Sequence, residues 1–239
     1  MSNYTTENIV YTCNNVTLEA FIARPETNKP NPAVLLCHAW SGRDKFVEDK
    51  AQYLATLGYV GVALDVYGKG KLAITVDEKL GLMQPLLDDR AELQNRLSSG
   101  LDLISNQAYV DKSKIIAIGF CFGGLCVLDM ARMGLNLTGV ISVHGLFAKP
   151  NNLSNYKIKS KVLALHGHLD PMVTPDVVEQ FMHELDHADA DWQLNVYGKA
   201  LHAFTNPEAN DSNLGTVYDK DADSRAWGAI RQFLAENLK

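Results

Sequence analysis

Cys121 stands in the run Gly119-Phe120-Cys121-Phe122-Gly123-Gly124, with a glycine two residues to either side. Ile115-Ile116-Ala117-Ile118 before it reads as a short buried strand, and Leu125 to Met133 after it reads as the first turns of a helix. A strand, a tight turn around one nucleophilic side chain and a helix form the nucleophile-elbow pattern, here with sulfur in place of the usual serine oxygen. Glycine at 119 and 123 lets strand and helix pass closely while the central residue takes a strained backbone conformation. A thiol at a helix N-terminus is poised to act as a thiolate. The same residues also fit a glycine-rich turn around a buried core cysteine, and the motif alone does not separate the two.

The elements that would carry this elbow follow from hydropathy patterning. Ile9-Val10-Tyr11 and Val16 to Ala23 flank Asn14-Asn15, a good two-residue hairpin turn. Ala33 to Cys37, Val60 to Leu64, Gly139 to Val143 and Val162 to Leu165 are short apolar runs of the kind buried on both faces, and Trp192 to Tyr197 alternates like a half-buried strand. Helical spacing marks Arg43 to Leu57, with Gly58 as C-cap, and a long region from Leu80 to Ile104 in which Pro85 is expected to restart the helix. Thr174-Pro175 opens a further helix, and Trp227, Ile230, Leu234 and Leu238 lie on one face of a last one. The stretch from Gly198 to Asp219 reads as a loop. Strands alternating with helices after an antiparallel hairpin predict one α/β domain over residues 1–239, with a mostly parallel sheet covered on both faces.

In such a sheet the site lies beyond the carboxyl ends of the strands. The residues there are Cys37-His38-Ala39-Trp40, Asp65, Cys121, His144 and His166-Gly167-His168-Leu169-Asp170, with His202 after the last strand. Cys121, Asp170 and His202 follow the chain order nucleophile, acid, histidine of α/β-hydrolase triads. His166-x-His168-x-Asp170 also begins like a zinc site, but Pro171 stands where a further histidine usually follows, so no metal is expected. His144, at its strand end, reads as a structural histidine, with contact to the pocket as its other reading, and Asp65 reads as a loop brace.

Composition narrows the class. The chain of 239 residues is long enough for a substantial core, and its formal net charge of -6 argues against nucleic acid or an anionic membrane as partner. The N-terminus reads as no signal peptide, and no apolar run reaches the length of a membrane span. Four cysteines without zinc spacing, two of them inside apolar runs, fit reduced thiols in a cytoplasmic protein.

The whole pattern resembles the dienelactone hydrolase family of α/β hydrolases. The resemblance runs over nearly the full chain and rests on Gly119 to Gly124, Leu165 to Pro171 and His202-Ala203-Phe204-Thr205-Asn206-Pro207. Leu64-Asp65-Val66-Tyr67-Gly68 and Ala222-Asp223-Ser224-Arg225-Ala226-Trp227 support it. It implies a hydrolase of carboxylic ester bonds, carboxymethylenebutenolidase-like, acting on a small ester or lactone without a cofactor. Cys121 would be the nucleophile, His202 the general base and acid, and Asp170 its orienting carboxylate. Backbone N–H groups of Phe122 and Trp40 would form the oxyanion hole. Trp40, Phe122 and Phe204 would wall the pocket, and Arg90 is the candidate cation in it, with a surface salt bridge as its other reading.

Two positions depart from the family pattern. Well-studied members carry a glutamate beside the oxyanion loop, where this chain has Cys37-His38-Ala39-Trp40. They also carry an arginine shortly after the triad histidine, where this chain has Thr205-Asn206-Pro207. The first departure removes the group that the resemblance would assign to control of the resting thiol, and the second points away from the anionic dienelactones. Alternatives to the lactone or ester reading are a thioesterase or general carboxylesterase with the same triad, and a non-catalytic or redox-sensing α/β-hydrolase fold.

Overall fold

A computed structural model describes residues 4–239. Strands β1 (Tyr4–Cys13) and β2 (Val16–Pro25) form the N-terminal hairpin, turning at Asn14 with φ 52°. The next strands are β3 (Asn31–Cys37), β4 (Val60–Leu64), β5 (Val110–Phe120), β6 (Gly139–Val143), β7 (Lys161–Gly167) and β8 (Trp192–Tyr197). They join the hairpin in one eight-stranded sheet of order β1-β2-β4-β3-β5-β6-β7-β8. The pairs from β4 through β8 are parallel, and only the two pairings of β2 are antiparallel. β5 lies at the centre. The strands β3 to β7 are apolar on both faces because helices cover both, so the core is split into two layers by the sheet.

Helices α1 (Lys45–Thr56) and α6 (Lys220–Asn237) cover one face with Phe120, Ile141 and Leu163. Helices α2 (Val76–Asp88), α3 (Arg90–Ser105), α4 (Phe122–Arg132) and α5 (Pro175–His187) cover the other. Asp44 caps α1 by accepting from the Val47 N–H, and Gly58 follows that helix with φ 94°. The break in the long helical region falls at Asp89 rather than Pro85, which lies inside α2. Asp89 accepts from the Glu92 N–H and so starts α3, whereas α2 absorbs its proline on an exposed helix. β5 begins five residues before its apolar run. Its register against β3 shifts between Asn31 and Ala33, and Asp111 takes the Ser113 N–H and hydroxyl in that irregular start.

The stretch after β8 holds a second small sheet, β9 (Asn210–Asp211) paired with β10 (Thr216–Val217). This hairpin holds the segment that carries His202: the His202 N–H donates to Gly215, and the Val217 N–H donates to His202. Among the described residues, no helix is long and apolar enough to cross a membrane.

Candidate active site

Cys121 joins the end of β5 to the start of α4 with φ 54° and ψ -115°, a conformation that side-chain-bearing residues rarely adopt. The two glycines explain how the chain accommodates it. A Cβ on Gly119 would collide with the Gly123 carbonyl, and one on Gly123 with the Cys37 carbonyl. β5, α4 and the end of β3 are therefore in backbone contact around the sulfur. The Cys121 N–H donates to Val143, and its carbonyl receives the Gly124 N–H at 2.9 Å. The Gly124 N–H of α4 is thus taken, whereas the Phe122 N–H, first in the helix, has no carbonyl four residues back within it to bond and lies at the end of the helix where negative charge is favoured.

Asp170, three residues past β7, is buried and makes two distinct contacts. Oδ1 accepts from the Met172 N–H at 2.8 Å, an Asx turn, and Oδ2 lies 2.6 Å from Nδ1 of His202. The turn fixes the carboxylate; the carboxylate fixes the ring. Nε2 of His202 is buried with no hydrogen-bond partner. His202 and Cys121 line the same cavity. Burial alone would push the imidazolium down, but the charge of Cys121 and the bond to Asp170 outweigh it and hold His202 up at about 10.

A cavity of about 550 Å³ opens over these residues. Trp40 lines it, with the Lys79 ammonium 5.2 Å above its ring. The loop of Trp40 is braced from below. The Tyr67 hydroxyl donates to the Trp40 carbonyl at 3.1 Å, and Asp65 holds Tyr67 and Gly68 by their N–H groups. His38 Nδ1 lies 2.6 Å from the Ala39 carbonyl, its Nε2 accepts from the Val66 N–H, and burial keeps the ring neutral. His144, with φ 38°, ends β6 in the cavity wall. Its Nε2 lies 2.9 Å from the Thr205 hydroxyl, its Nδ1 has no partner, and its ring meets that of His202 at 5.4 Å. Burial, with the His202 charge beside it, keeps this second imidazole neutral. Sequence reading left it structural; its place beside His202 was visible only in its strand-end position.

Three expected pocket residues fall elsewhere. Phe122 and Phe204 are fully buried and pack behind the cavity: Phe122 stacks on Tyr67 at 5.9 Å, and Phe204 meets His144 edge-on at 5.1 Å. Phe120, Phe46, Val76, Leu80 and Met83 supply apolar wall instead. Arg90 is neither in the cavity nor in a surface salt bridge. It is buried and grips Asp129 of α4 by two bonds of 2.8 and 2.6 Å. Asp129 also accepts from Arg132, which in turn holds Glu184 of α5 and the Phe147 and Ala148 carbonyls. A lone arginine near a helix start carries no sign of this partner, because Asp129 is 39 residues away in the chain. His166 is buried, His168 exposed, and Asp170 committed to His202; among the described residues no group of three or more His, Cys, Asp or Glu side chains is arranged to hold a metal ion.

The profile of the "Dienelactone hydrolase family" matches residues 18–238. The chain belongs to the dienelactone hydrolase family. Its relatives include a protein of Bradyrhizobium sp. named as a probable 2-oxo-3-(5-oxofuran-2-ylidene)propanoate lactonase, 25% identical, with 92% of this chain and 89% of the relative covered. Among solved structures it is similar to m3DLH, with a TM-score of 0.94, 29% identity and 99% of each chain covered. It is also similar to the dienelactone hydrolase-like promiscuous phosphotriesterase P91 from metagenomic libraries, with a TM-score of 0.92, 31% identity and 99% of each chain covered. The fold is that of the α/β hydrolases, and the family makes this protein a hydrolase acting on ester bonds.

Proposed function

We propose that this dienelactone hydrolase-family member cleaves a small carboxylic ester or lactone through Cys121, His202 and Asp170, by way of an acyl-cysteine. The observation that carries the reading is the junction of three features: a strained cysteine at a helix N-terminus, a histidine sharing its cavity, and a carboxylate 2.6 Å behind that histidine. An imidazolium facing a thiolate is the arrangement that gives sulfur its nucleophilicity at neutral pH. The thiolate attacks the carbonyl carbon, and the oxyanion is met by the N–H groups of Phe122 and Trp40. His202 then gives its proton to the leaving alkoxide, which departs as alcohol and leaves an acyl-cysteine. The neutral ring takes a proton from water and hydroxide attacks the acyl carbon; the C–S bond breaks, releasing the carboxylic acid and the thiolate beside the restored imidazolium, and the acid loses its proton to solvent. Asp170 holds the ring in the tautomer that presents Nε2.

The reading supports a small-molecule substrate and needs no cofactor or metal. The pocket residues proposed are Trp40, Phe46, Leu80 and Met83, with Phe204 backing His144. The test is turnover of a panel of chromogenic esters, lactones and thioesters, with an uncharged phosphotriester added because of the likeness to P91. Cys121→Ala is expected to abolish turnover of every substrate the parent cleaves. Undiminished rates in that variant would remove the cysteine from the chemistry.

A further inference from the structure

The substrate class can be taken further from the walls of the cavity, on the reading that Cys121 opens an ester there. Three of its lining residues are carboxylates, Asp44, Glu208 and Asp211; its cationic groups are Lys79, engaged over the Trp40 ring, and the His202 ring paired with Asp170 and Cys121. No arginine lines it. Asp44 is half-buried and near enough to Glu208 for the two charges to interact, while Glu208 and Asp211 are exposed. Such a wall repels a second carboxylate, and a low-dielectric cleft focuses that field on whatever enters.

Another part of the lining is apolar and is not closed. Val76 and Leu80 of α2 and Met172 beyond Asp170 line the cavity, yet remain 47%, 40% and 36% exposed. The band continues outward to Leu72 at 57% and Ile74 at 85%. It is fixed against the site, because the Ala73 N–H donates to Ser41 of the oxyanion loop at 3.0 Å. Exposed apolar side chains lining a cavity, with more exposed apolar residues just before them in the chain, mark a surface a ligand covers.

We infer that the substrate is an uncharged ester whose linear apolar acyl chain lies along Met83, Leu80, Val76 and Ile74, and that Asp44, Glu208 and Asp211 exclude esters bearing a second, anionic carboxylate.

Two comparisons test it, with 4-nitrophenyl butyrate and 4-nitrophenyl hemisuccinate as a pair matched in length and differing in charge. kcat/KM is expected to favour butyrate by about tenfold or more at low salt, and the ratio to shrink in 0.5 M NaCl as the field is screened. In Glu208→Gln/Asp211→Asn the ratio should fall by about threefold or more. Asparagine at 211 keeps the oxygen that accepts from the Asn213 and Leu214 N–H groups, so the turn survives. Lengthening the acyl chain from acetate to octanoate should raise kcat/KM in the parent, and Leu80→Asp, at an exposed helix position, should flatten that rise. Hemisuccinate turned over as fast as butyrate, or a chain-length profile unmoved in Leu80→Asp, overturns the inference while leaving the hydrolase reading intact. Absence of turnover on every ester, in a parent whose Cys121 is unmodified, overturns the hydrolase reading first.

Discussion

Removing Arg90 separates a substrate contact from a structural one. Arg90 makes a buried bidentate pair with Asp129 and a half-buried 3.3 Å bond to the Ala148 carbonyl. Breaking a buried ion pair by deleting one partner destabilises by roughly 3–5 kcal/mol. The two partners are not equivalent here. In Arg90→Ala, Asp129 keeps the Arg132 bond at 3.2 Å and the Gln94 amide at 3.4 Å, so the loss falls at the lower end, about 3 kcal/mol. In Asp129→Ala, Arg90 is left with only the Ala148 carbonyl, and Arg132 keeps Glu184, so the loss rises to about 5 kcal/mol. For a chain of this size 3 kcal/mol lowers Tm by roughly 6–12 °C. Urea unfolding followed by tryptophan fluorescence measures the first quantity. kcat/KM on the butyrate and hemisuccinate esters measures whether selectivity moved, and the anion ratio is expected to stay at the parent value in Arg90→Ala. A stability loss under about 1 kcal/mol, or a selective loss of hemisuccinate turnover, would refute the account and return Arg90 to the substrate.

Other consequences follow from the His202 neighbourhood. Because the folded ring titrates at about 10 against an ordinary 6.5, its contribution to stability is complete below 6.5 and is lost as pH rises through about 10. The alkaline limb of kcat/KM should lie near the same pH, since the leaving group needs the imidazolium proton; Asp170→Asn should move that limb down and lower kcat by about 10²-fold or more, measured by stopped-time assays across the pH range. Thr205→Val leaves the buried His144 ring with neither nitrogen bonded, and is expected to destabilise by about 1–3 kcal/mol in thermal or urea unfolding. The His144→Phe/Thr205→Val pair should then be less destabilised than the sum of its single variants.

The strands were legible because their chemistry is local. β4 is short and continuously apolar, β6 is broken only by Ser142, and both fall where their hydropathy ends. The elbow was legible because Gly119 and Gly123 are imposed by close backbone approach, and Asp170 and His202 because strand ends in a parallel sheet share one edge. What hid was long-range or weakly patterned. The two-residue strands β9 and β10 hold His202 by backbone bonds alone, and Asn210-Asp211 and Thr216-Val217 carry no periodicity to announce them. Asp89 outcompeted Pro85 as a helix boundary because it caps, a distinction of geometry rather than of type. Phe122 and Phe204 adjoin site residues in sequence, yet neighbouring side chains need not share a face, and both turn into the core. Arg90 was misplaced because its partner lies on another helix.

The central claim is a covalent bond between substrate and Cys121. Rapid mixing of Asp170→Asn, in which deacylation is slowed, with a 4-nitrophenyl ester, followed by acid quench and mass spectrometry of the intact chain and its peptides, tests it directly. The expected result is one acyl mass per chain, formed with the nitrophenol burst and carried on the peptide that holds Cys121. Turnover with no adduct on that peptide, or an adduct on another residue that accumulates and decays at the catalytic rate, would contradict it.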